Sequence, residues 1–135
     1  MSKPIRDALQ ITGVSLLKTY GQETASTTGT AVDLGAALYQ SMVFVAYITA
    51  NACATGDSLD VVIEGSNDGT TYETVATFAQ WDMTTTAGLY RVDFDDAKGP
   101  KRYYRYASTE TGTADVTYLV LAVGMEPSQV PVAQV

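Results

Sequence analysis

The clearest alternation of apolar and polar positions runs through residues 58–65. Leu59, Val61 and Ile63 share one side and Ser58, Asp60 and Glu64 the other, with Val62 the one apolar residue on the polar side. A repeat of two marks a strand with one buried face, because successive side chains point to opposite sides of an extended backbone. Ser66-Asn67-Asp68-Gly69 follows, and Asn, Asp and Gly tolerate the positive φ of a tight turn, so residues 72–78 are expected to return antiparallel. The same period sets Tyr90, Val92 and Phe94 against Leu89, Arg91 and Asp93. It predicts strands over 102–108 and 115–123, joined by a turn at 109–114. Residues 12–20 and 30–34 read as further strands, although Leu16-Leu17 interrupts the alternation of the first.

Residues 41–50 depart from this pattern. Met42, Phe44, Ala46 and Ile48 make one apolar side, and Val43, Val45 and Tyr47 make a second; the later half of 115–123 is likewise apolar on both sides. Such a strand either lies centrally under other elements or has its second face covered by another subunit.

Between the strands, residues 21–29 read as a polar loop without a side chain that demands burial. Residues 51–57 and 80–87 read as loops, the second carrying Trp81, and 95–100 as a Gly-Pro turn. Residues 36–40 suit one helical turn. Seven or eight short strands without an amphipathic helix predict an all-β chain, an antiparallel β-sandwich of jelly-roll or immunoglobulin-like order. The expected organisation is an N-terminal arm over 1–12, a sandwich domain over 13–124 and an extended C-terminal strap over 125–135. Pro127 and Pro131 oppose helix or central strand in that strap, while Val130, Val132 and Val135 make it apolar enough to dock on a neighbour.

Composition narrows the function. The length of 135 residues suits one domain. Eight Lys and Arg against fifteen Asp and Glu leave a net charge of −7, which repels phosphate backbones and anionic lipid and argues against direct nucleic-acid or membrane binding. No apolar run is long enough for a membrane span, and residues 1–10 lack the apolar stretch of a secretion signal, so synthesis in the cytoplasm is expected. The one cysteine, Cys53, lies among alanines and reads as packing. The chain has no histidine, which removes Ser-His-Asp and Cys-His catalysis and His-ligated zinc.

The remaining chemistry is sparse. Asp60 with Glu64, or Asp93 with Asp95, could form a glycosidase-like carboxylate pair, but both sit at strand spacing on a solvent side, where charge serves solubility. Asp93, Asp95 and Asp96 cluster oxygens without a calcium-loop signature. Residues 65–69 lack the lysine of a phosphate loop. No enzyme activity, cofactor or metal is therefore expected. In Lys101-Arg-Tyr-Tyr-Arg-Tyr106, alternation sends Tyr104 and Tyr106 to one face with Arg102, and Tyr103 and Arg105 to the other, as cross-strand packing requires. The partner-binding candidates are Val43, Val45 and Tyr47 for self-association, Val130, Val132 and Val135 for docking, and Trp81 as an anchor.

The stretch Asp60-Val-Val-Ile-Glu-Gly-Ser-Asn-Asp-Gly-Thr-Thr-Tyr-Glu-Thr-Val-Ala-Thr-Phe78, with Arg102-Tyr-Tyr-Arg-Tyr-Ala107 and a terminal strand, resembles small β-sandwich virion proteins of tailed bacteriophages. The resemblance covers about residues 30–124, and its hairpin also occurs in sugar-binding sandwiches. It implies an auxiliary capsid protein, a decoration or cement protein on the outside of the head, commonly a trimer, with the major capsid protein and other virion subunits as partners. Two alternatives stand beside it. One is a carbohydrate- or receptor-binding module of a tail or baseplate using Trp81, Tyr72 and Tyr90 as stacking surfaces; the other is a head–tail connector or tail subunit.

Overall fold

The computed structural model describes residues 13–34 and 39–127. The elements in chain order are β1 (Gly13–Glu23), β2 (Thr27–Thr28), β3 (Val32–Asp33), β4 (Tyr39–Asn51), β5 (Ser58–Ser66), β6 (Glu73–Thr77), β7 (Trp81–Asp82), β8 (Gly88–Asp93), β9 (Tyr103–Thr111) and β10 (Val116–Pro127), with one 3-10 turn at Asp96–Lys98. They form two antiparallel sheets packed face to face. The first sheet has the order β1-β10-β4-β8. The second runs β2-β9-β5-β6, with β3 also on β9 and β7 also on β5.

One rule generates this order. β1 pairs with β10, β2 and β3 with β9, β4 with β8, and β5 with β6, so the chain is a single long hairpin whose tip is the turn at 66–71. Rolling that hairpin brings β10 beside β4 and β9 beside β5 and closes the sandwich. If β2 with β3, and β6 with β7, each count as one interrupted strand, eight strands result, in the order 1-8-3-6 over 2-7-4-5. That is a jelly roll, which decides between the two arrangements left open by the alternation.

The tip is built from its own side chains. Ser66 Oγ accepts from the amides of Asp68 (3.2 Å) and Gly69 (2.9 Å), and Asp68 Oδ1 accepts from the amides of Thr70 and Thr71, both at 2.8 Å. Those bonds to its carboxylate hold Asp68 down to about pKa 2. Gly69 sits at φ 76°, where an L side chain would be strained.

The inward positions are those the alternation selects. Met42, Phe44, Ala46 and Ile48 of β4, Val116, Tyr118, Val120 and Ala122 of β10, Leu59, Val61 and Ile63 of β5, and Tyr104 and Tyr106 of β9 are all buried. Edge-to-face and tilted rings bind the layers together: Trp81 to Tyr118 at 5.0 Å between centroids, and Phe44 to Tyr104 at 5.7 Å.

Four expectations need correction. Residues 21–29 are not all loop, since Gly21–Glu23 extend β1 and Thr27–Thr28 form β2; and Glu23, expected to be solvated, is buried. The expected helical turn at 36–40 is overruled at Tyr39 and Gln40, which open β4, while 36–38 lie outside the described residues. Trp81 is not in an open loop: Trp81–Asp82 pair with Leu59 and Ser58, which closes the ring over the core. The last strand does not stop before the strap; β10 continues through Met125 to Pro127, paired with Ser41 and Tyr39 of β4. Pro127 is the strand's final residue and lies beyond Gly124, the last residue of β10 in the described pairing with β1. The arm over 1–12 and the rest of the strap, including Val130, Val132 and Val135, lie outside the described residues.

Candidate functional site

The register of the first sheet lays its outward side chains in rows. Val14 of β1, Val123 of β10 and Val43 of β4 share one row, ending at Asp93 of β8; Leu16, Leu121 and Val45 share the next, ending at Arg91. Leu119, Tyr47 and Leu89 make a third. Of these, Val14 (56% exposed), Leu16 (45%), Tyr47 (42%) and Leu89 (72%) reach furthest into solvent. Tyr20 crosses over the sheet, its hydroxyl 2.9 Å from Thr49 Oγ1. The only charges within the three rows are Arg91 and Asp93, which pair with each other at 3.1 Å. Four strands about 4.8 Å apart and three rows make a plateau of roughly 20 Å by 20 Å, or about 400 Å² in plan. That lies within the size of the largest apolar patches on monomers, which are often functional.

The structure thus joins the predicted Val43, Val45 and Tyr47 into one surface with six apolar residues that the strand pattern left on separate strands. It separates Trp81 from them. At 1% exposure, packed against Phe78, Tyr90 and Tyr118, Trp81 is core and cannot act as an anchor or a sugar platform. The other two stacking candidates are also engaged: Tyr90 packs against the core from the inner side of β8, and the Arg105 guanidinium lies 3.8 Å above the Tyr72 ring. Of the three residues on which the carbohydrate reading rested, burial removes Trp81, while Tyr72 and Tyr90 stay partly exposed and make contacts within the domain.

The outer face of the second sheet is of another character. Arg105 pairs with Glu64 at 2.7 Å, and Arg102 meets both oxygens of Asp33, at 2.8 and 3.0 Å, while lying over Tyr103. The bond to Asp33 raises the Arg102 pKa. Glu73 is held below the usual carboxylate range by its bond to Lys101 at 2.7 Å, with Lys98 at 3.4 Å. Asp60 accepts from Gln80 at 3.2 Å, so Asp60 and Glu64 are each engaged with a different neighbour. Among the described residues, no group of three or more His, Cys, Asp or Glu side chains is placed to hold a metal ion.

One buried polar cluster was invisible in the sequence. The two Glu23 oxygens accept separately from Tyr118 Oη at 2.6 Å and Tyr106 Oη at 2.9 Å. Burial, reinforced by that carboxylate, drives both phenols far above their ordinary pKa. Beside them Lys18 Nζ donates to the carbonyls of Gly21 and Tyr118, both at 3.0 Å, and lies 4.2 Å from the Tyr118 ring centroid. Burial lowers the Lys18 pKa and the Glu23 charge opposes it. The β1–β10 register shifts between Leu16 and Lys18 and again before Gly21, so the cluster fixes an irregular stretch of β1. Leu16 and Leu17 are both apolar because they serve opposite faces, Leu16 the exposed outer face and Leu17 the core; the alternation itself breaks one step later, where the bulge turns Lys18 inward as well.

No protein-family model matches the chain, and no curated protein matches it in sequence. Solved structures match in fold. The VP2 subviral particle of infectious bursal disease virus aligns with a TM-score of 0.59 at 16% identity, over 87% of this chain and 33% of that one. The chain of the T13 particle of the same virus aligns at 0.52 and 16% identity, over 84% of this chain and 31% of that one. The YomS protein of the SPBc2 prophage covers 82% of this chain and 91% of its own at 15% identity, but its TM-score of 0.46 is too low to argue from. This chain spans about a third of the length of the capsid-particle chains. What is shared is the architecture: an antiparallel β-sandwich of the kind found in viral capsid chains.

Proposed function

We propose that this protein is a structural virion component, a decoration or cement protein that seats the outer face of its first sheet on the outside of a phage head and bridges neighbouring capsid subunits. The observation that carries the proposal is the plateau itself: nine apolar side chains in register on a face that nothing else in the described chain covers. The sandwich architecture shared with viral capsid chains supports the same reading, and no catalytic step is assigned to the chain.

Burying the apolar three-quarters of that plateau, about 300 Å², yields roughly 8 kcal/mol at about 25 cal/mol per Å². Lost translational and rotational freedom takes back an amount of the same order, about 4–15 kcal/mol. A single copy on a single subunit is therefore marginal. Many copies on a repeating shell are not, because every bridge binds only the assembled state and shifts the assembly equilibrium by mass action.

Electron microscopy of purified particles tests the proposal. Density for the sandwich on the shell exterior, with the first sheet turned toward the shell, is the expected result. Absence from the particle, or contact through the ion-paired second sheet, overturns it.

A further inference from the structure

A sheet edge carries unpaired backbone groups and invites another strand, so folded proteins shorten, bend or charge their edges. Three of the four edges of this sandwich are guarded in these ways. In the second sheet, β2 and β3 have two residues each, and β6 has five, with Glu73 exposed and ion-paired. In the first sheet, β8 carries Arg91 and Asp93. The fourth edge, β1, has eleven residues, and its later half is guarded by two register shifts and the inward-turned Lys18. Residues 13–17, Gly-Val-Ser-Leu-Leu, have none of these devices. They pair in unbroken register with β10 from Gly13 to Leu16, carry no charge and expose Val14 and Leu16.

We infer that this segment of β1 joins a second copy of the chain by antiparallel strand pairing across a two-fold axis near Ser15, forming one eight-stranded sheet from two first sheets. The segment is self-complementary: with Ser15 on the axis, Val14 lies opposite the partner's Leu16, a β-branched residue against an aliphatic one, and the small Ser15 meets itself. Charge favours the same place. Copies with a net charge of −7 repel each other, and approach costs least along an edge without carboxylates.

The role proposed for the plateau decides between this arrangement and stacking of the two plateaus on each other. Face-to-face stacking hides about 400 Å² per copy, half of the roughly 800 Å² per partner of a standard stable interface, and leaves nothing for the shell. Edge pairing sets the plateaus side by side and offers about 800 Å² as one surface, which meets that size. The inference therefore deepens the function proposed above, rests on it for the role of the plateau, and moves self-association from the face of β4 to the edge of β1.

The test is sedimentation of the full chain up to about 1 mM, the weak end of specific association. The expected result is a monomer–dimer equilibrium that weakens at least about 30-fold in Val14→Lys/Leu16→Lys, with an unchanged circular dichroism spectrum. Mixing that variant with Val14→Glu/Leu16→Glu should restore pairing as a heterodimer. Val45→Lys, in the middle of the plateau, should dimerise normally. Hydrogen exchange should show residues 13–17 becoming protected as concentration rises. A chain that stays monomeric, a dimer indifferent to the two β1 lysines, or residues 13–17 equally protected at all concentrations because residues 1–12 cover them, each overturns the inference. Dimerisation that survives while Val45→Lys binds particles normally would sink the plateau's role and leave the edge pairing standing.

Discussion

The two outward faces of this sandwich are built from strands of the same fold and carry opposite chemistry. On the second sheet, every charge that β9 presents outward is engaged: Arg105 with Glu64 and Tyr72, and, just before the strand, Arg102 with Asp33 and Tyr103. On the first sheet, three rows of aliphatic and aromatic side chains meet one ion pair at the β8 margin. A polar outer face is what an antiparallel sheet needs in water, so the first sheet is the departure that calls for a function. The difference teaches that burial inside the domain and coverage by a partner leave different marks: inward residues are mainly apolar on both sheets, the Lys18–Glu23 cluster of β1 apart, whereas outward apolar residues gather on one sheet.

The largest expected effect tests what belongs to neither face. Trp81→Ala should destabilise the fold by about 3–5 kcal/mol, as loss of a large buried ring does, measured by urea unfolding. A Trp81 that served a partner would instead leave stability untouched. Next, Val45→Lys/Leu121→Lys should weaken particle binding at least about 100-fold, or about 2.7 kcal/mol, while altering stability by about 1 kcal/mol or less. Co-sedimentation with undecorated particles reads the first quantity and thermal unfolding the second. The matching change on the other face, Arg105→Ala, should cost about 1 kcal/mol or less and leave particle binding unchanged; lost binding would erase the distinction between the sheets. The smallest effects are those of pH. The Asp68 pKa is depressed in the fold, so its contribution is complete above about pH 4 and fades as pH falls through about 2. Faster amide exchange of Thr70 and Thr71 below that point is the sign. At the alkaline end Tyr106 and Tyr118 have raised pKa values, so stability should fall as pH rises past about 10, where only the unfolded phenols ionise. Ultraviolet titration should show these two silent until unfolding.

Much of this is legible in the amino-acid sequence alone. Alternation identified β5, β8, β9 and β10 and their inward residues because each buries one face. The doubled apolar character of β4 and β10 announced the plateau, although only register could add Val14, Leu16 and Leu89 to it. Trp81 was misplaced because a two-residue strand is too short to alternate, and it lies between polar Gln80 and Asp82. Glu23 was missed because its partners Tyr106 and Tyr118 are more than eighty residues away, and a lone carboxylate in a small polar stretch looks solvated. Strand order could not be read at all, since hydrophobic period says which way a side chain points and nothing of which strand lies beside it.

The pairing of the first strand with the last also bears on how the molecule is made. β1 is made before β2 to β9, yet its sheet neighbour among the described residues, β10, ends at Pro127, so the edge it turns toward β10 waits while the eight strands between them are made. Closing so distant a contact is slow, and a chain that stalls before β10 strands both β1 and β4 without the partner that lies between them. Growing chains are thus most prone to clump in the interval before β10 emerges to fill the gap between β1 and β4.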